Sequence, residues 1–186
     1  MRKIRGFKLN PRAREIQRQA KKAKLDLAAL GLDSEAPLAA DTARFMASVH
    51  ASALYDCLPP GSSSLSPIPG LACSLVIVTL GPDSDAFIER ERLSSPDRGR
   101  LFEIMAKAAL DDATRFVLGL VEEEAKEERC ELSPIQLLTE DAALKSAVSR
   151  LEGHKIGVAA SDAGLRPVHT AAFSLSWLSR AKSRAT

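Results

Sequence analysis

Aromatic residues are scarce in this chain: one Trp, one Tyr and six Phe among 186 residues. A platform for single-stranded nucleic acid needs aromatic rings interleaved with basic side chains, and only Phe7 lies among the basic residues of the N-terminus. Cysteine is also sparse. Cys57, Cys73 and Cys130 are odd in number and far apart, with no C-x-x-C pair. A disulfide framework and a structural zinc site are therefore not expected, and a reduced, cytoplasmic setting is. The three histidines, His50, His154 and His169, are scattered, and each reads as a surface or hydrogen-bonded histidine rather than a metal ligand. No apolar run approaches the roughly 20 residues of a membrane span. No continuous apolar stretch follows the basic N-terminus, so a secretory leader is not expected. The sequence carries no phosphate-binding loop, no metal-ligand cluster, no catalytic triad and no internal repeat. Its adjacent acids, Asp111-Asp112 and Glu122–Glu124, fall on a helical pattern where neighbouring positions do not face each other, so they read as solvated charge.

What is present suits a single domain with a real core: 45% of residues are hydrophobic and 27% charged. The net charge of +2 hides an asymmetry. Residues 1–24 hold ten Lys and Arg against one acid, Glu15, and the remainder holds 16 basic against 23 acidic residues. Such a basic segment either binds phosphate-rich or acidic partners electrostatically, or it is the solvated face of a helix that docks on the acidic body of the protein. The second reading is preferred, because the segment also carries an apolar stripe.

Along the chain, Arg2–Leu9 suits an edge strand. Asn10-Pro11 starts a helix to about Leu30, with Ile16, Ala20, Ala23, Leu27 and Leu30 on one stripe and Gly31 after it. Pro37 opens a second helix ending near Leu58. The Pro-, Gly- and Ser-rich stretch 59–70 is a loop. Leu71–Thr79 is a buried strand, Asp83–Leu93 a short helix, and Pro96 to about Glu128 the longest helix, capped by Ser95. Its stripe includes Ile104 and Phe116, which are expected to be core residues. Ser133-Pro134-Ile135-Gln136 has capping-box spacing and predicts a helix to about Leu151. A strand His154–Ala160, a turn at Ser161–Gly164 and a last strand Thr170–Leu178 follow. The tail, 179–186, is expected to be disordered. This irregular order predicts an α+β fold, with a mostly antiparallel sheet packed on a long central helix and N-terminal helices.

Residues 71–178 resemble the reactivation domain of cobalamin-dependent methionine synthase, and especially its small stand-alone bacterial relatives. The residues that carry the likeness are Thr79-Leu80-Gly81 after the buried strand, the long helix, Ser133-Pro134, Ile156-Gly157-Val158, and Leu165-Arg166-Pro167-Val168-His169-Thr170. The resemblance implies a site for S-adenosylmethionine that faces a corrinoid, shaped by an Arg and a Gly-Tyr pair around the Ser-Pro step. On the matching positions it implies Ser133, Pro134, Pro167, His169 and Thr170 as cofactor-contacting residues, with Arg129, two residues from the matching position, as the cation that could reach in. This chain departs from that pattern: Glu131 stands in place of the Arg, and Ile135-Gln136 in place of Gly-Tyr.

The resemblance thus implies a stand-alone relative with a degenerate motif, which binds a corrinoid protein or small ligand without performing chemistry. An alternative is a working S-adenosylmethionine-binding activator of a corrinoid enzyme, its site rebuilt around Arg129 and His169–Thr170. A third is a nucleic-acid or acidic-protein binder acting through residues 1–24.

Overall fold

A computed structural model describes residues 1–62 and 64–179. Among these residues, five helices pack on a mostly antiparallel sheet, so the fold is α+β. Edge strand β1 (Arg2–Arg5) pairs with β2 (Ser52–Leu58), which pairs with β3 (Cys73–Thr79). Strand β8 (Thr170–Ser179) lies on the far side of β3 and pairs along its other edge with the short strands β4 (Cys130–Leu132) and β5 (Gln136–Leu137). A separate hairpin joins β6 (Ala159–Ser161) to β7 (Gly164–Arg166). Ser179 closes β8; residues 180–186, where disorder is expected, lie outside the described residues.

The sheet is covered on both faces, and successive side chains of a strand divide between them. Val76 and Val78 of β3 join Phe173 and Leu175 of β8 on one face. There they meet the helices α1 (Ala13–Lys22), α2 (Glu35–Met46), α3 (Pro82–Ser94) and α4 (Pro96–Glu127). Leu75, Ile77 and Ala172 point the other way, against α5 (Asp141–Arg150) and the single 3-10 turn Gly153–Ile156. Every residue of β3 is buried, which is why its centre, Leu75–Val78, is a continuous apolar run rather than an alternation. Each such Val, Leu or Ile contributes roughly 1.5–3 kcal/mol by leaving water.

Helix α4 is the central helix. Ser95 caps it by accepting from the Arg98 amide at 3.5 Å, and Pro96 takes the first helical position. Near its start, α3 approaches so closely that a Cβ on Gly99 would stand 2.6 Å from the Arg92 Cβ. Leu101, Met105, Ala109, Ala113, Val117 and Val121 form its fully buried stripe. Phe116 does not belong to that stripe. It is 42% exposed and stacks on Phe7, ring centres 4.7 Å apart. It sits one position before Val117, which turns it away from the sheet. Ile104 is buried as expected.

Several boundaries differ from the sequence pattern. The first helix ends at Lys22, not Leu30, because Lys24 turns left-handed (φ 55°) and the Leu25 amide bonds back to the Ala20 carbonyl. The second ends at Met46, and 52–58 form β2. Ala53 and Tyr55 face the α4 side while Leu54 and Leu58 face the α5 side, so both faces are apolar and the two-residue period is hidden. Ser133 starts no helix. Its hydroxyl accepts from the Ser176 amide at 2.9 Å, and its own amide donates to the Ser176 carbonyl at 2.9 Å. The open edge of β8 captures this segment, and Pro134, which has no N–H to pair, separates β4 from β5. Residues 154–156 lie in the 3-10 turn, and Gly157 (φ 71°) breaks the expected strand before β6 begins at Ala159.

Tyr55 supplies an internal probe. Burial first, and then the Glu124 carboxylate that accepts its hydroxyl at 2.6 Å, push the phenol up to about 12. A raised acid constant means that the fold favours the neutral phenol. Its stabilising effect is complete below the unfolded value of about 10 and is lost as pH rises through about 12. Since this is the sole tyrosine, an ultraviolet titration of the folded protein is expected to show phenolate only near that upper value. A midpoint near 10 would contradict the buried Tyr55–Glu124 contact.

Candidate functional site

The strand end of β3 runs into α3 through Thr79-Leu80-Gly81, and the β7–β8 connection passes directly beside it. Thr170 Oγ1 donates to Thr79 Oγ1 at 2.8 Å, and the Gly81 amide donates to the same Thr79 oxygen at 3.2 Å. The Leu80 amide bonds to the His169 carbonyl at 3.0 Å, while its own carbonyl accepts from the His50 amide at 2.8 Å. Gly81 (φ 89°) makes the turn that starts α3, a conformation open to glycine without strain. Ser84, fully buried, ties back to the Gly81 carbonyl at 2.7 Å.

Asp85, in the first turn of α3, completes the junction. One carboxylate oxygen accepts from the Val168 amide at 2.5 Å and the other lies 2.7 Å from His169 Nδ1. The pair is half-buried and borders a cavity of about 600 Å³. In a neutral imidazole, a carboxylate against Nδ1 places the proton there and leaves Nε2 to accept. Arg92, on the same cavity, is engaged by Glu89 and Glu103. Lys107 and Arg166 line it without an ion pair among the described residues. The lining thus sets the Asp85–His169 pair beside Lys107 and Arg166, groups suited to recognising a hydrogen-bond donor or an anion.

The six residues implied by the resemblance divide into two groups. Pro167, His169 and Thr170 gather at the junction with Thr79–Gly81, with Pro167 buried after a cis peptide bond. Ser133 and Pro134 lie across β8 near Ser176, with the Ser133 hydroxyl engaged by the Ser176 amide and the Pro134 carbonyl. Arg129 is exposed and left-handed (φ 57°) just beyond α4, beside Cys130, which pairs with Ser179. Nine residue steps along β8 separate Ser179 from Thr170, about 30 Å at the rise of a strand. Arg129 and His169–Thr170 therefore stand near opposite ends of β8. The sequence pattern missed Asp85 as a partner of His169. It reads as one of two acids favoured at a helix start, and its partner is 84 residues away.

The ten basic residues of 1–24 are all exposed, and Ile16 and Ala20 of α1 are buried in the core. Arg18 pairs with Glu15, whose carboxyl is held down to about 2 chiefly by that hydrogen bond, and Arg2 pairs with Glu124. Among the described residues no group of three or more His, Cys, Asp and Glu is placed to hold a metal ion, and no helix is long and apolar enough to cross a membrane. No family model matches the chain, and no curated protein is significantly similar to it.

Proposed function

We propose that this protein is a stand-alone relative of the methionine synthase reactivation domain that acts as a binding or accessory protein in corrinoid-dependent methyl transfer. The observation that carries the reading is the interlock at the start of α3. Thr79-Leu80-Gly81 and Leu165–Thr170, two of the segments behind the resemblance, are about ninety residues apart, yet they share the Thr170–Thr79 and Leu80–His169 hydrogen bonds. The third segment supports a loss of the methyl-donor role. Its Ser133 hydroxyl is spent on β8, and Glu131 brings negative charge where the ligand's carboxylate would have to sit. A like charge disfavours that carboxylate, and Ile135 lacks the backbone freedom of the glycine it replaces.

Calorimetry with S-adenosylmethionine is expected to show no binding at micromolar concentrations. Surface plasmon resonance against an immobilised cobalamin-loaded corrinoid protein is expected to show saturable binding that weakens when Asp85→Ala loosens the junction. Micromolar binding of S-adenosylmethionine that vanishes in Arg129→Ala would replace this reading with the activator. Absence of corrinoid-protein binding, together with steeply salt-dependent RNA or DNA binding lost on reversing the charges of α1, would replace it with the nucleic-acid binder.

A further inference from the structure

A second cleft, of about 650 Å³, opens beside Gly81 and Pro82 and meets the segments behind the family resemblance at that turn and at Ile156. Three connections build it: Gly6–Leu9 between β1 and α1, Val49–Ala51 between α2 and β2, and Gly81–Pro82 between β3 and α3. Phe7, Met46, Val49 and Ile156 give its wall an apolar part. Arg5, Lys8 and His50 supply its charge-bearing groups, and among the described residues no Asp or Glu lines it. Its volume falls in the range of small-molecule sites, about 300–1,000 Å³.

Among the described residues no carboxylate pairs with Arg5 or Lys8 at this cleft. Lys8 makes no ion pair among the described residues. Arg5 donates from one guanidinium nitrogen to the Lys155 carbonyl, which holds the group in place and leaves its charge unpaired. His50 Nε2 faces Asp83 at 3.2 Å in an exposed contact outside the cleft wall. The wall therefore couples apolar surface to fixed positive charge, and those two features select opposite ends of one molecule. A nucleic acid is a poor fit, since the lone aromatic ring, Phe7, already has Phe116 stacked on it.

We propose that this cleft binds a small amphiphilic anion, an apolar body bearing one carboxylate, sulfonate or phosphate. The body lies against Phe7, Met46 and Val49, and the anionic group meets Arg5 and Lys8. The proposal is independent of the corrinoid reading, because none of these five residues takes part in the Asp85–His169 junction.

Two fluorescent probes of one shape separate the contributions. 8-Anilinonaphthalene-1-sulfonate carries the anion, and N-phenyl-1-naphthylamine is the same body without it. The full chain is expected to bind the sulfonate saturably, one per chain, at least tenfold more tightly than the neutral probe. Arg5→Gln with Lys8→Glu, both exposed and outside the core, is expected to erase that preference while leaving the weaker neutral binding in place. Val49→Trp is expected to abolish binding of both probes. Near-ultraviolet circular dichroism of Trp177 and the melting temperature verify that each variant is folded; if Val49→Trp fails, the charge variant alone decides. Displacement of the sulfonate by decanoate or by 2-naphthoate supports the assignment and tells a chain-like body from a ring. Equal affinity for the two probes, a stoichiometry other than one, insensitivity to the charge variant, or displacement by neither carboxylate overturns it.

Discussion

Phe102→Ala is expected to lower the stability of the protein by about 3–5 kcal/mol, read from the midpoint of chemical denaturation. Phe102 is fully buried on α4 and occupies the centre of an aromatic group. Phe87 stands edge-on to it with ring centres 4.9 Å apart, and Phe45 lies 6.1 Å away. The guanidinium groups of Arg44 and Arg98 sit 5.3 Å and 5.6 Å from its ring centre. Truncation removes the apolar contact and leaves a cavity that three helices cannot close without moving. Phe116→Ala on the same helix is the internal comparison. It loses one stacked, half-exposed ring contact, about 1 kcal/mol. If the two variants unfolded at similar denaturant concentrations, the assignment of the core to the α2–α3–α4 contact would be wrong.

Arg98→Met is expected to cost about 3 kcal/mol. Arg98 grips Asp41 with one nitrogen, at 2.8 and 3.0 Å to its two oxygens, and its Nε approaches Glu91 at 3.4 Å. Both carboxylates are largely buried, with side-chain exposures of 14% and 13%. Removing the cation strands charge in a poorly solvated place, which typically costs about 3–5 kcal/mol. The lower end applies because Arg44 stays 2.8 Å from Glu91 and 3.7 Å from Asp41. Adding Asp41→Leu to Arg98→Met is expected to recover part of the loss, since an apolar pair can replace a buried ion pair at little net cost. A loss under about 1 kcal/mol for the single variant is what an exposed ion pair gives, and would mean that solvent reaches this cluster.

The two variants act on the part of the fold that the sequence shows most clearly. Ser95-Pro96 marks the start of α4 because a hydroxyl cap followed by proline suits that one place in a helix, and the helix ends within a residue of Glu128. β3 is legible because four consecutive apolar residues, Leu75–Val78, bounded by Gly81-Pro82, leave little alternative. The β6–β7 turn announces itself through Gly164. Strand β2 is less legible, since Ala53, Leu54, Tyr55 and Leu58 fit either period when both faces are covered. Ser133-Pro134-Ile135-Gln136 has the spacing of a helix start and becomes sheet edge instead, because β8 offers the Ser176 amide to the Ser133 hydroxyl and the Ser176 carbonyl to the Ser133 amide, which no local pattern records.

The candidate site divides in the same way. Thr79-Leu80-Gly81 and Pro167-Val168-His169-Thr170 are visible as short segments, each set by its own turn chemistry. That Asp85 holds the second against the first is not visible, because an acid in the first turn of a helix is accounted for locally by the dipole. By itself the sequence determined the helices and strands whose signals lie within a few residues: caps, glycine turns and apolar periods. The tertiary structure alone decided which edge β4 and β5 pair with, that Arg129 lies about 30 Å along β8 from Thr170, and that Arg5, Lys8 and His50 share one cleft. Those outcomes depend on contacts between residues tens to more than a hundred positions apart, where the gain appears only after the chain between them has been ordered.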